Sequence, residues 1–356
     1  MPLTLLSALA GLLLSGRMTV MLPVETLQRV NAQVPLEEVV SASHYVYTAN
    51  LAGAAAPVSA VEQLADEQMD APTMRGCGFN TIWLVEFRSK LESPGGLANL
   101  RAELDNARAN HLNVILGLNY GAGFQIPRDP SNPSFARAFG GWVRFVSGLL
   151  AALDDYRDIV RPVVFAEGQA APDLANAAGD VVAARMRVTI GNLPGLLDPA
   201  LRERWTFGWY GGWTTAVCPS APAQGYDWYA FSDYFFDPSI RLTWPQKGLS
   251  DEQIQQTLDR DFRRVRALFP GQTYFFAEGG YYTCDSATLD RAGQVYGLIA
   301  SWCRTNGIGF NLWGWRTKYT PEQECNLRGG KGGHSLTNPD GSGRPALYDV
   351  ERAVSK

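Results

Sequence analysis

The chain has 356 residues, a formal net charge of −4 and a hydrophobic fraction of 46%. That length exceeds most single domains, although large single-domain α/β folds reach it. No run of Lys or Arg stands out, so we expect no nucleic-acid partner.

The first predicted element is an apolar segment from Leu3 to Leu14. It is too short to span a bilayer, so we expect no integral membrane span. It resembles the apolar region of a signal peptide, but no Lys or Arg precedes it, and a surface or leader helix is the alternative. We divide the chain into a leader, 1–17, and one folded domain, 18–356. Export is slightly favoured over a cytoplasmic location.

In the first half of the folded domain, strand-like and helix-like segments alternate. Apolar runs predict strands, and apolar residues at helical spacing predict helices between them. The predicted strands are 39–47, 81–85, 113–118 and 161–166, and the predicted helices are 58–75, 97–107 and 135–149.

The second half continues this alternation. Strand five is either 186–190 or 205–209, with the first preferred, and the later strands are 227–236, a run ending at Glu278, and 308–313. Ser250–Gln253 is a capping-box pattern that opens a helix. Residues 331–345 read as a loop before a last helix, 347–354. Eight strands with helices between them predict a single α/β domain, a (β/α)8 TIM barrel, with no internal repeat.

Two strand-like runs end in the same way. Val163–Gly168 and Tyr274–Gly279 each stop at a glutamate followed by glycine, which places Glu167 and Glu278 at strand ends. In a barrel the carboxyl ends of the strands form one mouth, so the two carboxylates would lie on its opposite sides. Two carboxylates across one cleft are what glycoside hydrolysis requires. An ion pair at the rim is the alternative, and the shared context of both glutamates makes it less favoured.

Other polar and aromatic residues follow predicted strands. We expect substrate contacts from a set at the mouth that includes Glu86, Arg88, Asn119, Tyr234, Trp209, Trp313 and Trp315. For Glu86, an ion pair with Arg88 or Lys90 is favoured over catalysis. For each aromatic ring, we consider core packing and sugar stacking equally good explanations.

Several chemistries lack the residues they need. The three histidines are dispersed, none of the five cysteines forms a CxxC pair, and no G-x-S-x-G occurs. Gly329–Gly332 lacks the Ser or Thr of a phosphate loop. We therefore expect no catalytic metal and no cofactor, while a structural Ca²⁺ held by carboxylates remains open.

With these residues in view, the chain resembles the clan of retaining (β/α)8 glycoside hydrolases that includes the cellulase and mannanase families, over residues 40–350. The resemblance implies that Glu167 is the acid/base and Glu278 the nucleophile. It also implies that Trp313 floors the sugar subsite beside the cleaved bond and that Tyr234 contacts the nucleophile. The segment 76–82 is similar to the clan's entry into strand two.

Two positions depart from the clan. Ala166 stands where the clan has an Asn that contacts the substrate 2-hydroxyl, and Trp83 stands where strand two usually carries an Arg. We expect Arg88 to substitute for that Arg.

The sequence therefore predicts a monomeric retaining glycoside hydrolase acting on a polysaccharide or oligosaccharide. Glu167 is expected to have a raised pKa, because burial and the neighbouring Glu278 charge both disfavour its ionised form. A non-catalytic carbohydrate-binding barrel and another barrel enzyme, an isomerase or a lyase, are the alternatives.

Overall fold

The computed structural model describes nine stretches of the chain, all within one compact unit, Gln33–Lys356. They are residues 33–44, 60–119, 133–164, 193–213, 225–233, 249–279, 286–316, 335–338 and 340–354. The predicted leader, 1–17, lies outside these residues.

Eight parallel strands close into a barrel in sequence order, each pairing with the next and the last pairing with the first. The strands are β1 Val40–His44, β2 Thr81–Phe87, β3 Asn113–Asn119, β4 Val160–Val163, β5 Gly208–Trp213, β6 Trp228–Asp233, β7 Thr273–Gly279 and β8 Gly309–Leu312. This confirms the predicted (β/α)8 barrel.

The preferred prediction for strand five, 186–190, is wrong. Gly208 of β5 pairs with Val163 of β4 and with Trp228 of β6, so the fifth strand overlaps the last two residues of the second alternative, 205–209. Gly208, Gly211 and Gly212 interrupt the apolar run of β5. Because glycine weakens a strand pattern, the sequence gives this strand little signal.

Helices surround the barrel. They are α1 Ala60–Gly76, α2 Arg88–Leu91, α3 Gly96–Ala109, α4 Pro133–Ala152, α5 Pro199–Arg204, α6 Asp251–Leu268, α7 Ser286–Thr305 and α8 Pro345–Val354. The predicted capping box is confirmed: the Ser250 side chain accepts a hydrogen bond from the Gln253 backbone, and the Gln253 side chain accepts one from the Ser250 backbone. Within the described stretches, no helix is long and apolar enough to cross a membrane.

Aromatic side chains fill the barrel interior, the space enclosed by the strands. Trp83 stacks on Phe275 at 5.9 Å between ring centroids and meets Tyr210 edge-on at 5.7 Å. Trp228 meets Phe275 edge-on, at 5.7 Å between ring centroids. These four rings, all but excluded from solvent, form a solid floor beneath the barrel mouth.

A second apolar cluster, the outer layer, lies between the strands and the helices. It combines alternate strand residues such as Ile82, Leu116 and Phe310 with helix residues such as Leu104 and Val146. The two clusters together tell which way a strand residue faces, because neighbours along a strand point to opposite sides.

Gly208 provides a test of the packing in the barrel interior. A Cβ at this position would lie 2.1 Å from the Trp228 indole, whereas a Cβ at Gly148, on an exposed part of α4, would meet nothing within 4 Å. We expect Gly208→Ala to lower the free energy of unfolding by about 1–3 kcal/mol or more. Gly148→Ala should raise it by about 0.5–1 kcal/mol, since glycine is unfavourable inside a helix. Denaturant unfolding of both variants measures the difference, and equal stabilities would contradict the packing described.

Candidate active site

The carboxyl ends of the parallel strands form the barrel mouth, and Glu278 lies there. It is the next-to-last residue of β7 and is 4% exposed to solvent. A carboxylate in such a dry position interacts strongly with any charge or polar group that it faces. The direction of the Glu278 side chain therefore decides what it can do.

A β-bulge sets that direction. Phe231 of β6 pairs with Phe276, but the next residue, Ser232, pairs with Glu278, so Ala277 is an extra residue in β7. The pairing of β7 with β8 also shifts between Phe276 and Gly279. Residues paired across a sheet point to the same side, so Glu278 faces the same way as Ser232.

Ser232 faces the barrel interior. It is two residues beyond Ala230, which belongs to the interior cluster, and its hydroxyl accepts a hydrogen bond from the Tyr210 hydroxyl at 3.4 Å. Glu278 therefore points into the barrel as well. Without the extra residue, simple alternation after Ala277 would have turned it into the outer layer.

Gly279 gives an independent indication of the same direction. A Cβ on Gly279 would lie 2.5 Å from the Phe276 ring and 3.1 Å from Ile299, and both side chains belong to the outer layer. Since Gly279 faces outward, its neighbour Glu278 faces inward. The glycine after the glutamate, noted in the sequence, is thus required by close packing behind the strand.

Trp313 lies next to Glu278 in space. Its backbone N–H donates to the Gly279 carbonyl at 3.0 Å, and the residue is partly buried. It directly follows Leu312, the last residue of β8, so its backbone lies at the barrel mouth. The sugar-stacking role of Trp313 stays a prediction.

A buried ionic network holds the chain that follows Trp313. Arg316 donates to the Asp70 carboxylate of α1 through Nε at 2.6 Å, and His44 lies 3.0 Å from the same carboxylate. Burial alone would raise the pKa of Asp70, but hydrogen bonds from His44 and Arg316 lower it. The network ties the ends of β1 and β8 to a surrounding helix.

Glu86 and Arg88 do not face the mouth, which corrects the expectation that they contact substrate. Glu86 is fully buried in the outer layer, where Lys90 donates to it at 2.7 Å. The Arg88 guanidinium bonds Glu92 and lies 5.3 Å from the Phe145 ring of α4. The expected ion pair of Glu86 with Lys90 does form, although it is buried, and Arg88 does not replace the missing arginine.

Trp209 and Trp315 also belong to the outer layer. Trp209 packs against Tyr226 at 5.1 Å and Trp315 against Phe79 at 5.3 Å, and both indoles are almost completely buried. Neither indole presents a face on which a sugar can stack. The expectation that they contact substrate is therefore wrong, and both pack in the core.

The other predicted site residues are only partly described. Glu167 and Tyr234 lie outside the described residues. Asn119 ends β3 opposite Phe87, which places its backbone at the mouth.

Sequence reasoning missed two polar residues of the barrel interior, Ser232 and Asn311, both fully or almost fully buried. The signal for Asn311 is its position between Phe310 and Leu312 in an otherwise apolar strand. A buried amide is retained where it has hydrogen bonds to make.

Several carboxylates share the outer layer behind β2. Burial raises the pKa of Glu103 well above its ordinary value, and the neighbouring charge of Glu86 raises it further, while Lys90 opposes the rise. Burial also raises the pKa of Glu67, on α1, to about 8. Across the described stretches, no group of three or more His, Cys, Asp or Glu is arranged to hold a metal ion.

Comparison with known proteins gives similarity in structure only. No protein-family model and no curated protein matches the chain. The exo-β-1,4-mannosidase of Opitutaceae bacterium strain TAV5 superposes with a TM-score of 0.66 at 16% identity, over 89% of this chain and 59% of that one. This chain thus spans less than two thirds of the mannosidase.

Two further solved structures superpose on most of this chain. A glycoside hydrolase family 5 enzyme from Prevotella bryantii, solved with a xyloglucan tetradecasaccharide, gives a TM-score of 0.64 at 11% identity, over 92% of this chain and 98% of that one. A family 113 β-1,4-mannanase gives 0.55 at 11% identity, over 91% and 100%. The chain has the (β/α)8 fold of these glycoside hydrolases.

Glu67 gives a prediction for the outer layer. Between pH 4.5 and about 8 the folded protein keeps a proton on Glu67 that the unfolded chain has released, so the free energy of unfolding falls as pH rises through this window. Glu67→Gln should remove this dependence. Its stability relative to wild type should therefore increase with pH, by at most about 1.4 kcal/mol per pH unit.

Denaturant unfolding at several pH values measures this trend. Glu203→Gln, on an exposed site of α5, is the matched control. A constant difference between Glu67→Gln and wild type across the window would contradict the assignment.

Proposed function

We propose that the protein is a retaining glycoside hydrolase that cleaves a polysaccharide or oligosaccharide by double displacement. The observation that carries the proposal is the β7 bulge, which turns the Glu278 carboxylate into the barrel at its mouth. A buried carboxylate there has no packing value, because an apolar side chain would fill the same space at lower cost.

In the first step, a Glu278 oxygen attacks the anomeric carbon and the glycosidic bond breaks. The departing oxygen takes a proton from Glu167, and a glycosyl-enzyme ester forms on Glu278. In the second step, Glu167 removes a proton from water, the water oxygen attacks the anomeric carbon, and Glu278 leaves as a carboxylate. This sequence requires the two carboxyl groups to lie about 5–5.5 Å apart.

The surroundings of Glu278 suit a nucleophile. The rings of Trp83, Phe275 and Tyr210 fill the barrel interior deeper than Glu278, so we propose that the substrate reaches the carboxylate from the mouth. Trp313, next to Gly279, provides the surface on which we propose that the sugar stacks. The proteins of similar structure include a β-mannosidase and a β-mannanase. They favour a β-linked glycan as the substrate class.

A non-catalytic carbohydrate-binding barrel is the second candidate. The observation that favours it is Trp83, which fills the barrel interior where the clan carries an arginine and leaves that position without a positive charge. Ala166 likewise lacks the amide that contacts the substrate 2-hydroxyl. In this alternative the protein binds glycans and releases no product.

Azide rescue of two alanine variants tests the proposed roles. In Glu167→Ala, the glycosyl-enzyme still forms from a substrate with a good leaving group, and azide replaces water in the second step. The glycosyl azide should therefore keep the anomeric configuration of the substrate. In Glu278→Ala, azide attacks the substrate directly, so its product should be inverted.

Without azide, Glu167→Ala should lose about 10²–10⁴-fold in kcat on substrates with poor leaving groups. Nuclear magnetic resonance of the first product formed distinguishes the two configurations. If Glu167→Ala gave the inverted azide and Glu278→Ala the retained one, the two roles would be reversed. If azide rescued neither variant, neither glutamate would have the proposed role. A wild-type protein that binds glycans but hydrolyses none would favour the second candidate.

A further inference from the structure

We propose that Asn311 is the positioning residue for Glu278, and that it acts by holding the β7 bulge. The inference rests on the proposed function for its catalytic consequence. Its structural consequence, the direction of the Glu278 side chain, can be tested without any substrate.

Asn311 makes three hydrogen bonds inside the barrel. Its Nδ2 donates to the Ala277 carbonyl at 2.7 Å and to the Ser43 hydroxyl at 2.8 Å. Its Oδ1 accepts from the Ser41 hydroxyl at 3.0 Å. The side chain is completely buried and links β1, β7 and β8. An amide whose two N–H groups and carbonyl oxygen are all bonded has one well-defined orientation.

The bond to Ala277 is the decisive contact. Ala277 is the extra residue of the bulge and has no register partner in β6 or in β8. A bulge removes its extra residue from the strand ladder, and a buried carbonyl then needs another donor. Asn311 supplies that donor.

The competing arrangement is a regular β7. Without the bulge, alternation after the inward-facing Ala277 would turn Glu278 towards the outer layer. The Asn311 amide stabilises the bulged strand relative to the regular one, because only the bulge presents the Ala277 carbonyl to it. Asn311 therefore determines the direction of Glu278 without touching the substrate.

Asn113 offers a matched control. It is also a buried strand asparagine bonded to backbone, since its Oδ1 accepts from the Val34 N–H at 3.0 Å. It lies at the first residue of β3, at the end of the barrel away from Glu278. The same substitution at the two positions separates a loss of stability from a loss of positioning.

The first experiment compares Asn311→Ala with Asn113→Ala. We expect both to unfold at lower temperature than wild type. Only Asn311→Ala should also lose about 100-fold or more in kcat, since a misplaced reacting group costs a factor of this order. Equal kcat values for both variants and wild type would overturn the proposal.

Asn311→Asp gives a readout that a merely structural role would not produce. An ionised Asp only accepts hydrogen bonds, whereas a protonated Asp can donate to the Ala277 carbonyl. The kcat of this variant relative to wild type should therefore rise as pH falls, by at most about tenfold per pH unit. A ratio that stays constant with pH would overturn the proposal.

A crystal structure of Asn311→Ala tests the structural part of the proposal. If Asn311→Ala does not fold, a crystal structure of Asn311→Asp at neutral pH serves instead. We expect β7 to lose its bulge and Glu278 to turn away from Ser232. A variant structure in which Glu278 still faces Ser232 overturns the inference, whatever the activity. If wild type has no glycosidase activity, the proposed function fails, and this structure alone decides the role of Asn311.

Discussion

One extra residue in β7 determines what this barrel presents at its mouth. Strict alternation along the strand would place Glu278 in the apolar layer behind the barrel, where an ionised carboxylate is very costly. The insertion of Ala277 reverses the alternation, so the carboxylate faces the interior beside Ser232 while Gly279 packs against Phe276 and Ile299. Close packing on one side of the strand and chemistry on the other thus depend on the same irregularity.

The barrel interior shows how the chain departs from the clan that it resembles. Trp83 does not reach the mouth; it stacks on Phe275 within the aromatic floor. The Trp228 ring of the same floor is accommodated because Gly208 has no side chain at the place where that ring passes. The floor fills the barrel interior with apolar rings, while the positive charge that an arginine would bring there is missing.

The sequence predicted the barrel and the strand end that carries Glu278, because apolar runs and their alternation with helices survive in a single sequence. It did not predict which strand-end residues face the mouth. Strands of a parallel barrel are buried on both sides, so the apolar run of β2 shows no alternation that would place Glu86 outward. The bulge at Ala277 and the packing of Trp209 and Trp315 depend on neighbouring strands and helices that sequence spacing does not encode.

Covalent trapping tests the central claim, that the inward-facing Glu278 is the nucleophile. The protein is treated with activated fluorinated glycosides of mannose and glucose configuration, whose glycosyl-enzyme esters hydrolyse slowly, and the labelled peptide is identified by mass spectrometry. We predict one added sugar, on Glu278 in the segment that ends β7. A label on another carboxylate, such as Asp233, would contradict the account, as would turnover of these glycosides with no covalent intermediate.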